Sequence, residues 1–373
     1  MSSQGQVLPP GFFADTEIPD GGDHLRLHLN ENPYGPPPGT VEAVQDETDR
    51  HLNRYPDADC RLLREALAAH FGVPDGMVAV GNGTDELVLI ASLTFLREPG
   101  TTVLTTATTF PGYAMSAAAV GRVPVTVPLD GAGLPVGALA ERIAAGAGLT
   151  FVCNPLNPTG ALLDRASVTR LLDAADQGGG VVVFDEAYID FAGPEHEFAL
   201  EAVRAGRRAL VTRTFSKAWG LASVRMGVAL GPAELIARLS ATAGALPFNV
   251  NRQAQRAVLR ALERPDHLDR VRAANARARE LLHKSLDALG LVHAPSASNF
   301  VMVDVPPPGD SARFAARLAG EHRIFVRALD ALGMPGRLRI SVGTEAEVGR
   351  LAAALAAVLE DDGRGAAVTV GTP

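Results

Sequence analysis

The chain has 373 residues, 47% hydrophobic and 20% charged, enough apolar material for a large buried core divided over two or three domains. Its formal net charge of −8 lacks the basic excess of a general nucleic-acid binder, and its only cysteines, Cys60 and Cys153, have no paired spacing and supply no disulfide framework. No basic segment followed by an apolar one opens the chain and no run of about 18 apolar residues occurs, so neither a signal peptide nor a membrane span is expected, and the expected location is the cytoplasm.

Residues 1–24 are polar and rich in Gly and Pro, and read as an N-terminal arm. "NPYGPPPG" (32–39) is a turn-rich stretch, followed by helical patterns over 40–52 and 59–71. Apolar runs then alternate with helical ones. "MVAVG" (77–81) predicts a strand, "DELVLIASLTFL" (85–96) a helix, "TVLTT" a strand and "PGYAMSAAAVG" a helix. "VPVTVPL" and "LTFVCN" predict strands, "RASVTRLLDAAD" a helix, and "VVVFDEAY", "ALVTRTF" and "MGVALG" further strands. Continuous β-branched runs between helices indicate an α/β fold, a mostly parallel sheet sandwiched by helices. After about residue 245 the texture changes. A long amphipathic helix over 267–290 ends at Gly290, and strand, helix, two strands and a helix follow, as in a smaller α/β module. The expected division is a large domain over 53–245, a small domain made of 25–52 and 246–361, and a flexible tail over 362–373.

Three predicted strands end in polar residues. "LTFVCN" delivers Asn154 and then Asn157 in "NPLNPTG"; "VVVFDEAY" delivers Asp185 and Tyr188; "ALVTRTFSK" delivers Thr214, Ser216 and Lys217. In an open parallel sheet these sets share the carboxyl edge, where such folds bind ligands. Any one alone reads equally well as a solvated strand end; three together do not. A lysine with a lowered pKa can form a Schiff base with a carbonyl, and an aspartate can hold a protonated pyridine nitrogen. That pair is the signature of a pyridoxal 5'-phosphate (PLP) site, in which Asn157 and Tyr188 can donate to the ring oxygen and lower the basicity of the neighbouring imine. For the phosphate, "GNGTDELVLI" (81–90) offers a turn at Gly83 opening a helix, with the backbone N–H groups of Thr84 and Asp85 at its N-terminus. The Asp85 carboxylate repels phosphate and reads as a backbone cap. Thr214, Ser216 and Arg225 add further donors.

Together "GNGTDE", "NPLNPTG", "VVVFDEAY", "TFSKAWGLASVRMG" and "LRISVGT", with "LNENPYGPPP" and "NRYPD" near the start, resemble a fold-type I PLP-dependent aminotransferase of class I/II, most of all the histidinol-phosphate aminotransferase group. The resemblance covers roughly residues 25–360. It implies that Lys217, Asp185 and Tyr188 are catalytic and that Phe110 in "TTFPGY" stacks on the cofactor ring, where many relatives have Tyr. Tyr113, three residues on, reads as helix packing. Tyr55 is expected to reach the cofactor phosphate of a partner subunit, which implies a homodimer with shared active sites. Asn32, Arg327 and Arg339 are expected at the substrate. Alternation along "RLRISVG" leaves Arg337 and Arg339 on one face, and the resemblance selects Arg339. Ala328 follows Arg327 where the histidinol-phosphate enzymes often carry Asp.

The expected activity is transfer of an amino group between a histidinol-phosphate-like or aromatic amino donor and a 2-keto acid through a Lys217 Schiff base. The partners are small molecules, with no nucleic acid and no membrane. A PLP-dependent decarboxylase of a phosphorylated amino acid shares these motifs, and a catalytically silent PLP-binding regulator is the remaining alternative. His24 and His28 lie four apart beside a strand-like stretch, and no zinc spacing accompanies them, so no metal is expected.

Overall fold

The computed structural model describes residues 23–368. Eleven strands run in chain order as β1 (Leu25–Leu27), β2 (Val78–Gly81), β3 (Val103–Thr106), β4 (Val125–Val127), β5 (Leu149–Cys153), β6 (Val181–Asp185), β7 (Ala209–Thr214), β8 (Gly227–Leu230), β9 (Phe300–Asp304), β10 (Ile324–Ala328) and β11 (Arg337–Ser341). A seven-stranded sheet has the order β2-β8-β7-β6-β5-β3-β4, and every strand is parallel except β8. Every residue of β5, β6 and β7 is buried, as strands covered by helices on both faces must be. This explains why their sequences are mostly apolar rather than alternating, with Thr150, Thr212 and Arg213 as buried exceptions. The smaller sheet, β1-β10-β11-β9, pairs β1 parallel to β10 and is otherwise antiparallel. It has its own core, built around Val301, Ile324, Leu338 and Ile340.

The predicted helices are present with ends moved by a few residues, and the long one runs Asp266–Ala288. Gly290 closes it at φ 67°, its N–H donating to the Asp287 carbonyl. Helices Val136–Ala144, Phe198–Arg204, Ala233–Ala243 and Arg252–Leu262 were not predicted. The last of these begins just past residue 246, where the small domain was expected to resume. Its small-residue stripe, Ala254, Ala257, Val258 and Ala261, belongs to the core of the large sheet, and the second core draws on Leu25, Leu27 and residues 278–358. Helix Thr40–His51 packs on this same helix, and the N-terminal contribution to the small sheet is strand β1. Most of the expected arm lies outside the described residues, as does the tail beyond residue 368. The C-terminal helix, Glu345–Val368, continues into the stretch expected as tail. Among the described residues, no helix is long and apolar enough to cross a membrane.

Candidate active site

Adjacent strands β5, β6 and β7 bring Cys153, Asp185 and Thr212 into register at the carboxyl edge of the large sheet. Beyond β7 the chain turns tightly. The Thr214 hydroxyl accepts from the Ser216 N–H at 3.1 Å and faces the Met226 carbonyl at 3.5 Å. The Gly220 N–H closes onto the Lys217 carbonyl at 2.9 Å. Gly220 sits at φ +68°, and any side chain there would run into the Gly35 carbonyl of the proline-rich stretch. The lysine loop is thus clamped between β8 and residues 35–36.

The loop opens into a cleft of about 610 Å3. Its floor carries Lys217, Asp185, Tyr188 and Asn157, with Phe110 beside them. Thr84, Asp85, Thr214, Ser216 and Arg225 line it near the glycine turn. Arg327 and Arg339 are cross-strand partners on β10 and β11 and enter from the small sheet. Arg339 is buried; it donates to Asn157 Oδ1 at 2.7 Å and to the His28 carbonyl at 2.7 Å. Arg337, two residues earlier and in the same phase of the alternation, instead pairs with Asp304 at the surface.

Burial governs the protonation of this floor. It pushes Lys217 down to about 8, with the Arg339 charge adding to the effect, so about a tenth of it is free amine at pH 7, far more than for an ordinary lysine. The amine donates to the Leu29 carbonyl at 2.9 Å. Burial also raises Asp185, against two donors that favour its anion: Tyr113 Oη at 2.6 Å on Oδ2 and Thr212 Oγ1 at 3.2 Å on Oδ1. Tyr188 is pushed up to about 12 by burial and remains a protonated donor. Burial holds Arg339 down to about 10, with Arg327 adding to the lowering, and it stays charged at neutral pH.

The donor set fits PLP. At the glycine turn, the first amides of helix Gly83–Phe95 have no acceptor within the helix, and Arg225 and Ser216 stand beside them, an anion cradle. A side chain at Gly83 would occupy the place of the Arg225 guanidinium, and one at Gly227 would meet the Thr84 nitrogen, so two glycines keep the cradle open. Asp185 supplies a buried anion for a protonated ring nitrogen, and Lys217 an amine for the aldehyde.

Some expected residues stand elsewhere. The Asp85 carboxylate pairs with Arg225 at 2.7 Å rather than capping the helix; Glu86 takes the capping role, accepting from the Asn82 N–H at 2.7 Å. Asn32 does not line the cleft. Its amide donates to the Ala218 carbonyl at 2.8 Å and accepts from the Tyr34 N–H at 2.9 Å, holding the proline-rich stretch against the lysine loop. Tyr55 is 78% exposed, stacked on Phe248, and outside the cleft of its own chain. Tyr113, read as packing, is fully buried, stacks on Phe151 and holds Asp185. Asn30, within "LNENPYG", reaches Tyr188 Oη at 3.0 Å. Neither partnership had a signal in the sequence beyond the polar residue type. His24 and His28 lie against Phe325, and among the described residues no cluster of three or more His, Cys, Asp or Glu could hold a metal ion.

The profile of the family "Aminotransferase class I and II" matches residues 23–355. The chain is 38% identical over 339 residues to histidinol-phosphate aminotransferase 2 of Ralstonia nicotianae, covering 90% of this chain and 88% of that protein. It is 36% identical over 324 residues to the histidinol-phosphate aminotransferase of Moorella thermoacetica, covering 86% and 82%. The crystal structure of histidinol-phosphate aminotransferase from Sinorhizobium meliloti in complex with pyridoxal-5'-phosphate superposes with a TM-score of 0.79 at 29% identity, covering 90% of this chain and 91% of that one.

Proposed function

The chain belongs to the class I and II aminotransferase family, and from that membership we propose that it is a PLP-dependent aminotransferase acting on a histidinol-phosphate-like or aromatic amino donor and a 2-keto acid. The observation that carries this reading is the convergence of Lys217, Asp185 and Arg339 on one cleft. When bound, PLP supplies the electron sink that weakens bonds at the donor's α-carbon and carries the amino group from donor to acceptor. Lys217 anchors the cofactor, and its amine takes the proton from the donor's α-carbon. Asp185, held by Tyr113 and Thr212, keeps the ring nitrogen protonated. Asn157 and Tyr188 donate to the ring oxygen, Phe110 covers the ring, and the first amides of helix Gly83–Phe95 with Ser216 and Arg225 hold the phosphate. Arg339 and Arg327 bind the substrate's anionic group, phosphate in one half-reaction and carboxylate in the other.

We also assign the protein as a cytoplasmic homodimer. Val41, Leu52, Tyr55, Leu62, Leu246 and Phe248 are exposed apolar side chains contributed by residues 41–62 and 246–248. A second copy covering them would bring Tyr55 toward the partner's phosphate cradle.

The test is a half-reaction. Holoenzyme given histidinol phosphate without acceptor should form one carbonyl product per site and stop, then resume when a 2-keto acid is added. A phosphorylated amino acid that instead releases carbon dioxide over many turnovers, with no acceptor present, would overturn the transfer reaction and leave the cofactor site standing.

A further inference from the structure

Asn30 is 1% exposed and bends the chain at φ 56°, a left-handed conformation that asparagine tolerates better than most residues. The bend serves two contacts at once. The Leu29 carbonyl meets Lys217 Nζ, and the Asn30 amide meets Tyr188 Oη at 3.0 Å.

The direction of the second contact follows from counting protons. Ser341 Oγ accepts from the Asn30 backbone N–H at 2.9 Å and donates to Asn30 Oδ1 at 3.1 Å. With Oδ1 fixed as the acceptor end, the amide nitrogen is the end that faces Tyr188. Tyr188 therefore accepts from Asn30 and keeps its own proton to donate. Among the described residues no acceptor takes that proton, and Tyr188 lines the cleft. The Asn299 amide fixes the bend from the other side, donating to the Asn30 carbonyl at 3.0 Å.

We propose that Asn30 is a positioning residue whose amide, locked by Ser341, turns the Tyr188 hydroxyl proton into the cleft as an obligate donor to the anionic ring oxygen of the cofactor. The proposal rests on the PLP reading given above. The charged and titratable groups around the phenol are Arg339, Lys217, Cys153 and Asp185, and burial keeps the phenol itself protonated near neutrality.

A donor to the ring oxygen lowers the basicity of the neighbouring nitrogen, so its loss raises the pH midpoint of the visible absorbance of cofactor attached to Lys217. Asn30→Gly keeps the left-handed bend, adds no charge and removes the amide. It should raise that midpoint by about 0.5–1 pH unit, the size expected from one hydrogen bond. Tyr188→Phe should raise it at least as much, and Asn30→Gly in the Tyr188→Phe background should add nothing. Ser341→Ala, which unlocks the amide, should give a smaller shift of the same sign that also vanishes in the Phe background. It serves as the test if Asn30→Gly fails a thermal-unfolding check on the cofactor-free protein. An unchanged midpoint, or an equal shift with and without Tyr188, overturns the proposal. Absence of the band in the wild-type protein after PLP addition overturns the cofactor reading itself, and this proposal with it.

Discussion

Tyr113 donates its hydroxyl to Asp185 at 2.6 Å from beneath Phe110, whose ring it meets edge-on at 5.4 Å. A residue that packs the helix thus also favours the anionic form of the buried carboxylate. Tyr113→Phe keeps the stack on Phe151 and removes only this donor. A hydrogen bond to a charged group is worth about 1.5–3 kcal/mol, so PLP retention should fall roughly ten- to a hundredfold. The variant's Asp185 protonates at higher pH than the wild type's, so the loss should grow as pH falls. Equilibrium dialysis at pH 8 and pH 6 checks it, and equal retention by both proteins at both values would remove Tyr113 from this role.

Arg339→Ala should lower kcat/KM by roughly ten- to two-hundredfold while leaving bound PLP in place, because a charged contact to substrate is lost. Arg337→Ala should be near wild type, since its partner Asp304 is a surface ion pair of small worth. Steady-state kinetics on both variants decide between the two arginines, and a silent Arg339→Ala would reverse the assignment.

Tyr55→Phe should weaken PLP retention only in the dimer. Mixing it with Lys217→Ala should restore activity, because each heterodimer then holds one site with both lesions and one with neither. Absence of recovery after demonstrated subunit exchange would place Tyr55 outside the partner's site.

The partly buried ammonium of Lys217 makes a prediction about stability. Its folded pKa, about 8, lies below its ordinary value, so between about pH 8 and pH 10.5 the unfolded chain binds more protons and stability rises with pH. Below pH 8 both states are protonated and the full penalty of burying the charge is present. Lys217→Met lacks that penalty. The cofactor-free variant should therefore be more stable than cofactor-free wild type at pH 7, with the difference shrinking toward pH 10. Denaturant titrations across that range measure it, and a constant difference would show that Lys217 is not held down by burial.

The strands leading to Asp185 and Lys217 were legible because a strand buried on both faces is mostly apolar, so the polar residues ending each run stood out. The direction of β8 was not legible: "MGVALG" reads the same whichever way it pairs. Arg339 was separable from Arg337 by resemblance, and the physical distinction, a buried guanidinium against a surface ion pair, needed β9 in place. The helix Arg252–Leu262 escaped notice because its buried face is mainly alanine, which this alanine-rich chain also places on surfaces. Asn30 and Tyr113 lacked a local pattern altogether. Their partners lie 158 and 72 positions away, and a buried polar side chain declares its function only through the group it bonds.

The pairing of β1 with β10 bears on how the protein comes into being. Leu29 and Asn30 reach the cleft from a strand whose neighbours are residues 324–326, and Asn30 bonds Ser341 across 311 positions. No strand of the large sheet pairs with β1. The seven strands of the large sheet are complete in sequence by residue 230, so their core can assemble during synthesis while Lys217 still lacks its cover. Pairing of β1 with β10 depends on closing a loop that spans nearly the whole protein. A chain ending before Ile324 would hold every strand of the large sheet and still lack the strand that pairs with β1.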